Sequence, residues 1–217
     1  MTDDESKPKI SQQLVMTPQL QMAIKMLSMS QDELFALVSD WSDKHPGAIA
    51  PLEAGDPVPV SQEEQDDLDE HGIQPWTWTS EQPLPDATPR PDVWVFGNPP
   101  QARANPAATP RIKAIFDDAM ISRSAADVRE ASWLARAVRQ RAKTMEKVIA
   151  TLLTLQPQLA IATEPDKLPA TDVRDIAKAM GMHESTITRV ATNLRYQTIH
   201  GVVQLVGDKK LKHRALW

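Results

Sequence analysis

The sequence predicts an all-α protein in three parts. These are an N-terminal helical hairpin over 10–47, a disordered acidic linker over 48–110, and a C-terminal helical domain over 111–217 with a helix-turn-helix at 171–194. Three observations lead there. Apolar residues recur at helical spacing at both ends of the chain. The stretch 46–110 holds 13 of the 18 prolines, and His45 to Pro89 carries ten acids with no Lys or Arg. Charge divides in the same way: 6 Lys/Arg against 18 Asp/Glu over residues 1–110, then 18 against 11 over 111–217. An acidic half joined to a basic half directs the basic half towards a polyanion, unless the asymmetry is only that of a solvated surface.

The first helix starts at Thr17-Pro18, with Thr as N-cap and Pro at the first helical position, where its missing N–H is no loss. Leu20, Ala23, Ile24 and Leu27 follow at helical spacing. Ser30-Gln31-Asp32-Glu33 is a capping box that restarts the helix at a new angle. Leu34, Leu37, Val38 and Trp41 then share a face until His45-Pro46-Gly47. Gln12, Gln13, Gln19 and Gln21 interleave with Leu14, Met16, Met22, Met26 and Met29, giving two apolar stripes where an ordinary surface helix has one.

The run "SQEEQDDLDEHG" is solvated, and the segment around it is too polar to fold alone. Near its end, Val93, Trp94, Val95 and Phe96 read as an isolated strand. Ile112, Ile115, Phe116 and Met120 mark a short helix. A long one follows from about Ala125 to Gln156, with Leu134, Val138, Met145, Ile149 and Leu152 on one face and Arg136, Arg139, Arg141, Lys143 and Lys147 as its cations.

Thr171 to Leu194 has helix-turn-helix spacing, with helices at about 172–180 and 184–193. Ala177 is small where the helices cross, and Gly181 supplies the turn. Ile176, Met180, Met182, Ile187 and Val190 occupy the buried positions. His183, Glu184, Ser185, Thr188, Arg189 and Thr192 then point outward on the face that enters a major groove in this motif. Plain packing of two helices is the alternative. Arg189 is the preferred base reader or phosphate clamp, or else a surface arginine paired with Glu184 or Asp175.

Catalysis has little support. There is no cysteine, so no thiolate chemistry or disulfide, and the five histidines lack metal-ligand spacing. No glycine-rich phosphate loop is present. The reading is therefore of a non-enzyme with no cofactor and no metal. The opening "MTDDESKPKI" is acidic without an apolar core, so no secretory leader is expected, and no run of about 18 apolar residues spans a membrane. A cytoplasmic setting is expected.

These residues together resemble the enhancer-dependent sigma-54 class of bacterial transcription initiation factors. "SQQLVMTPQLQMAIKML" with "ELFALV" is similar to that family's activator-interacting region, and the acidic proline-rich segment to its second region. "REASWLARAVRQRAKTMEKVIATLL" and "LPATDVRDIAKAMGMHESTITRVATN" resemble the long helix and helix-turn-helix of its DNA-binding part. The resemblance covers about 10–53 and 111–206. It implies promoter DNA near the −12 element, RNA polymerase core and an AAA+ activator ATPase as partners. Gln13, Leu14, Met16, Thr17, Pro18, Gln19, Leu20, Ile24 and Leu27 are its implied activator and polymerase surface. Uncharged Gln and adaptable Met suit a helix that meets several partners in turn.

Two departures qualify the resemblance. The family normally carries a large helical core-binding domain between the acidic segment and "RPDVWVF", where little stands here. It also continues past "HGVVQLVGDKK" to a box, Ala-Arg-Arg-Thr-Val-Ala-Lys-Tyr-Arg, that reads the −24 element, whereas this sequence reads "LKHRALW". The expected function is a sigma-54-like initiation factor. The alternatives are a truncated remnant that regulates or competes with the complete factor, and a simple helix-turn-helix repressor.

Overall fold

The computed structural model describes residues 17–45, 49–52, 90–114 and 125–217. Its architecture is mixed rather than all-α. Among the described residues, helices α1 (Pro18–Ser28), α2 (Gln31–Lys44), α3 (Ala125–Leu155), α4 (Val173–Met180) and α5 (Glu184–Ala191) are joined by eight strands. The strands are β1 (Ile49–Leu52), β2 (Val93–Phe96), β3 (Gln101–Ala104), β4 (Arg111–Ala114), β5 (Thr171–Asp172), β6 (Arg195–Thr198), β7 (Gly201–Val206) and β8 (Lys210–Ala215). Strands β1 and β4 form a two-stranded antiparallel pair. The other six make one sheet in the order β3-β2-β6-β7-β8-β5.

The sheet overturns the expectation of a purely helical C-terminal domain, and its cause is a period of two. Along β8, Leu211 and His213 are buried while Lys210, Lys212 and Arg214 are exposed. Val93 and Val95 are buried and Trp94 and Phe96 half-buried along β2. That strand is not isolated, since β3 pairs on one side and β6 on the other. Its pairing with β6 is parallel and joins Val93 to Tyr196 and Trp94 to Gln197. Asp92 fastens the junction: its N–H donates to the Arg195 carbonyl at 2.8 Å, and its carboxylate accepts the Arg195 N–H at 2.9 Å.

Residues 111–114, read as the start of a short helix with Ile112, are strand β4. Ile115, Phe116 and Met120 lie outside the described residues, as do 53–89 of the segment read as a disordered linker. Residue 48 lies outside them too, and the described parts of that segment, 49–52 and 90–110, are built into the fold.

At about 1.5 Å per residue, the 31 residues of α3 run roughly 46 Å and serve two cores. Its first half packs Ala131, Leu134 and Val138 against Met26, Met29, Leu34 and Val38 of the N-terminal hairpin. Its second half packs Met145, Val148, Ile149, Leu152 and Leu153 against the helix-turn-helix and the sheet. Arg141, one of the five cations noted on this helix, lies on the buried stripe between the two cores and is 2 % exposed. Its Nε donates to the Met26 carbonyl at 2.9 Å and its Nη2 to the Met29 carbonyl at 2.7 Å.

Candidate nucleic-acid interface

The helix-turn-helix forms where its caps dictate. The Asp172 side chain accepts the Arg174 N–H at 2.9 Å and opens α4. Gly181 closes it in the left-handed region at φ 64°, and the Met182 N–H returns to the Ala177 carbonyl at 2.9 Å. That conformation is why a glycine stands here. His183 then caps α5: its Nδ1 accepts the Ser185 N–H at 3.2 Å and lies 2.7 Å from the Ser185 hydroxyl. An accepting Nδ1 leaves the ring proton on Nε2.

Ile176, Ile187 and Val190 are fully buried and Ala177 nearly so, while Met180 and Met182 are half-buried against the same core. The outward residues come to one face of α5. His183, Glu184, Arg189 and Thr192 are exposed, and Ser185 and Thr188 half-buried. Glu184 does not pair with Arg189. It lies 3.5 Å from Nε of Arg174 on α4, and among the described residues no carboxylate stands within ion-pair distance of Arg189. Arg174 and Lys178, both exposed on α4, add positive charge beside this face. The sequence reading did not single them out, although their spacing of four residues on an amphipathic helix was visible.

Of the N-terminal candidates, Gln13, Leu14 and Met16 lie outside the described residues. Thr17 caps α1 by accepting the Leu20 N–H at 3.3 Å; it is exposed, as are Pro18, Gln19 and Leu20. Ile24 and Leu27 are half-buried, and Leu27 packs on the core that includes α5. The two stripes therefore separate by neighbour. Met22, Met26 and Met29 face the first half of α3, while Leu27 reaches the larger core.

The docked hairpin is tied to the C-terminal end of α5 by a hydrogen bond, and Leu27 packs on the core beneath that helix. The Asn193 side chain, just past α5, donates to the Ser28 carbonyl at 2.8 Å. At the N-terminal end of α5, His183 and Glu184 are exposed. In a helix-turn-helix those first residues of the second helix reach the base edges. A shallow depression between α1 and α3 is lined by Ala23, Trp133, Arg136, Arg139, Gln140 and Lys143, so the hairpin also borders a cationic strip of α3.

Among the described residues no helix is long and apolar enough to cross a membrane, and no three His, Asp or Glu side chains are grouped to hold a metal ion.

Two family profiles match the chain. That of "Sigma-54, DNA binding domain" covers residues 122–207, which contain α3, β5, α4, α5, β6 and β7. That of "Sigma-54 factor, Activator interacting domain (AID)" covers residues 7–42. An RNA polymerase sigma-54 factor of Azorhizobium caulinodans is 36% identical over 78 residues, 36% of this chain and 15% of its own length. That of Bacillus subtilis is 32% identical over 85 residues, 39% of this chain and 19% of its own. That of Rhizobium etli is 30% identical over 139 residues, 58% of this chain and 25% of its own. The chain thus spans a quarter or less of the length of these relatives.

Proposed function

We propose, from the premise that this chain belongs to the sigma-54 family, that it binds promoter DNA through α5 and presents α1 to an activator ATPase and to RNA polymerase core. The promoter element is the one near −12. His183, Glu184, Ser185, Thr188, Arg189 and Thr192 face the groove, Arg189 reads a base or clamps a phosphate, and the protein works in the cytoplasm as an initiation factor without catalytic chemistry of its own. The observation that carries this reading is the geometry at α5. Its outer face exposes His183, Glu184 and Arg189, with the N-terminal hairpin tied at Asn193, and among the described residues no carboxylate stands within ion-pair distance of Arg189. Exposed Leu20 and Gln19 supply the uncommitted end of α1.

Fluorescence anisotropy of the full chain on duplexes with an intact or scrambled −12 element tests the DNA reading. Preference for the intact element supports it, and equal binding to both rejects it. Pull-down of core polymerase and of an activator ATPase, with and without Leu20→Ser, tests the partner surface.

One observation favours a second reading, a regulator that competes with a complete sigma factor. Only residues 43–121 separate the two matched segments, less than the large core-binding domain expected there from the resemblance. Purified transcription separates the two readings. Activator-dependent transcripts from this chain and core polymerase support the first. Inhibition of a complete sigma-54 system by excess chain, relieved by polar substitutions at Leu20 and Ile24, supports the second.

A further inference from the structure

Strands β7 and β8 form a hairpin whose turn, Gly207 to Lys210, lies against the outward face of α5. The turn after Gly207 and all of β8 fall past residue 207, where the DNA-binding match ends. Gly207 sits at φ 109°, and a Cβ there would collide with the Lys210 carbonyl oxygen, so the turn is as tight as glycine permits. It is tied to both helices of the helix-turn-helix. The Thr188 hydroxyl on α5 lies 3.2 Å from the Asp208 carbonyl, and the Val173 N–H at the start of α4 donates to the Lys209 carbonyl at 3.0 Å. Strand β5 pairs beside it, with Asp172 opposite Lys210.

These bonds engage main-chain carbonyls of the turn and leave its side chains outward. Lys209 and Lys210 are exposed, and Lys212 and Arg214 follow on the open face of β8, spaced two residues apart. Among the described residues none of the four lies within ion-pair distance of a carboxylate. Asp208 is the one acid in the turn.

We propose that this hairpin is a second DNA-contacting element, gripping the phosphate backbone beside the groove that α5 enters. Lys209 and Lys210 hold phosphates at the turn, and Lys212 extends the contact along β8. The inference rests on the DNA-binding reading of α5. A duplex that admits Thr188 to its groove brings the groove wall to the turn bonded to Thr188, within reach of two flexible lysine stems. Such contacts position a protein without reading sequence. Each phosphate neutralised releases counterions and steepens the fall of log K with log salt by about 0.9.

The test is a salt titration of full-length chain binding to a −12 promoter duplex and to a random-sequence duplex. Replacing Lys209→Gln and Lys210→Gln together is expected to weaken binding to both duplexes by the same factor. It should lower the salt slope by about two units and leave base preference unchanged. Replacing Lys209→Arg and Lys210→Arg keeps the charge and should keep the slope. Wild-type affinity and slope in the double Gln variant, alongside weakened binding by Arg189→Ala, overturns the hairpin contact and leaves the α5 reading standing. A wild-type chain without salt-dependent binding to either duplex overturns both.

Discussion

Arg141 donates a hydrogen bond to the carbonyl of Met29, a residue 112 positions earlier in the chain, at 2.7 Å. Met29 and Met26, whose carbonyl Arg141 also holds, close the C-terminal end of α1, where unsatisfied carbonyls concentrate negative partial charge. A buried guanidinium thus joins the hairpin to the long helix at the boundary between the two cores.

Arg141→Leu is expected to loosen that junction. A hydrogen bond to a charged group contributes about 1.5–3 kcal/mol, and the abandoned carbonyls add a desolvation cost. Hydrogen exchange should quicken over residues 17–45 while the amides of α4 and α5 keep their protection. Unchanged exchange in α1 and α2 would mean that Met26, Met29, Leu34 and Val38 hold the hairpin without the arginine.

Burial pushes the His213 imidazole down to about 4, with the nearby Asp166 charge opposing. Its Nδ1 lies 2.9 Å from the Tyr196 hydroxyl, and its Nε2 is buried with no hydrogen-bond partner among the described residues. The unfolded value is 6.5, so the folded state holds fewer protons between the two. The neutral ring's contribution is complete above 6.5 and is lost as pH falls towards 4. It amounts to roughly 3 kcal/mol at most. His213→Gln should remove this acid sensitivity, seen as a smaller drop in denaturant midpoint from neutral pH to near 4. Burial raises the Asp92 carboxyl, which works in the opposite sense, but that term is common to both proteins and cancels.

Arg189→Ala separates two modes of contact. A bidentate base reader should cost about 1–3 kcal/mol and relax preference at one base pair. A phosphate clamp should weaken all duplexes equally and reduce the salt slope by about one unit. Binding titrations across single-base variants of the site decide between them.

Ile187→Ala and Thr192→Ala lie on opposite sides of α5. Ile187 is fully buried, so its truncation should cost about 2–5 kcal/mol of unfolding free energy. Thr192 is exposed, and its loss should stay within about 0.5 kcal/mol. Chemical denaturation measures both. Equal effects would place the wrong face against the core.

The helical elements were legible because their signals are local. Thr17-Pro18, the Ser30–Glu33 box, the apolar stripe of α3 and the small–glycine spacing at Ala177 and Gly181 each mark structure within one or two turns. The sheet was not legible in this way, since its strands are two to six residues long and β2 finds its neighbour β6 about a hundred positions on. "VWVF" therefore read as a strand with nothing beside it. The burial of Arg141 was not legible for a related reason: its acceptors are main-chain carbonyls, which leave no mark in a sequence. The turn at Gly207 was present as "VGDKK", but its placement against Thr188 depends on tertiary packing.

The parallel seam between Asp92–Trp94 and Arg195–Gln197 also fixes an order of events during synthesis. Strand β2 leaves the ribosome about a hundred residues ahead of the strand it pairs with on that side. At 5–20 residues per second, that delay is roughly 5–20 s. Throughout it the nascent chain carries an open strand edge and an Asp92 without its main-chain partner, while β3 can already cover the other edge. The closing of the sheet is thus among the last steps available to the chain, and a pause before residue 195 would prolong the time in which that edge can pair with a neighbouring chain.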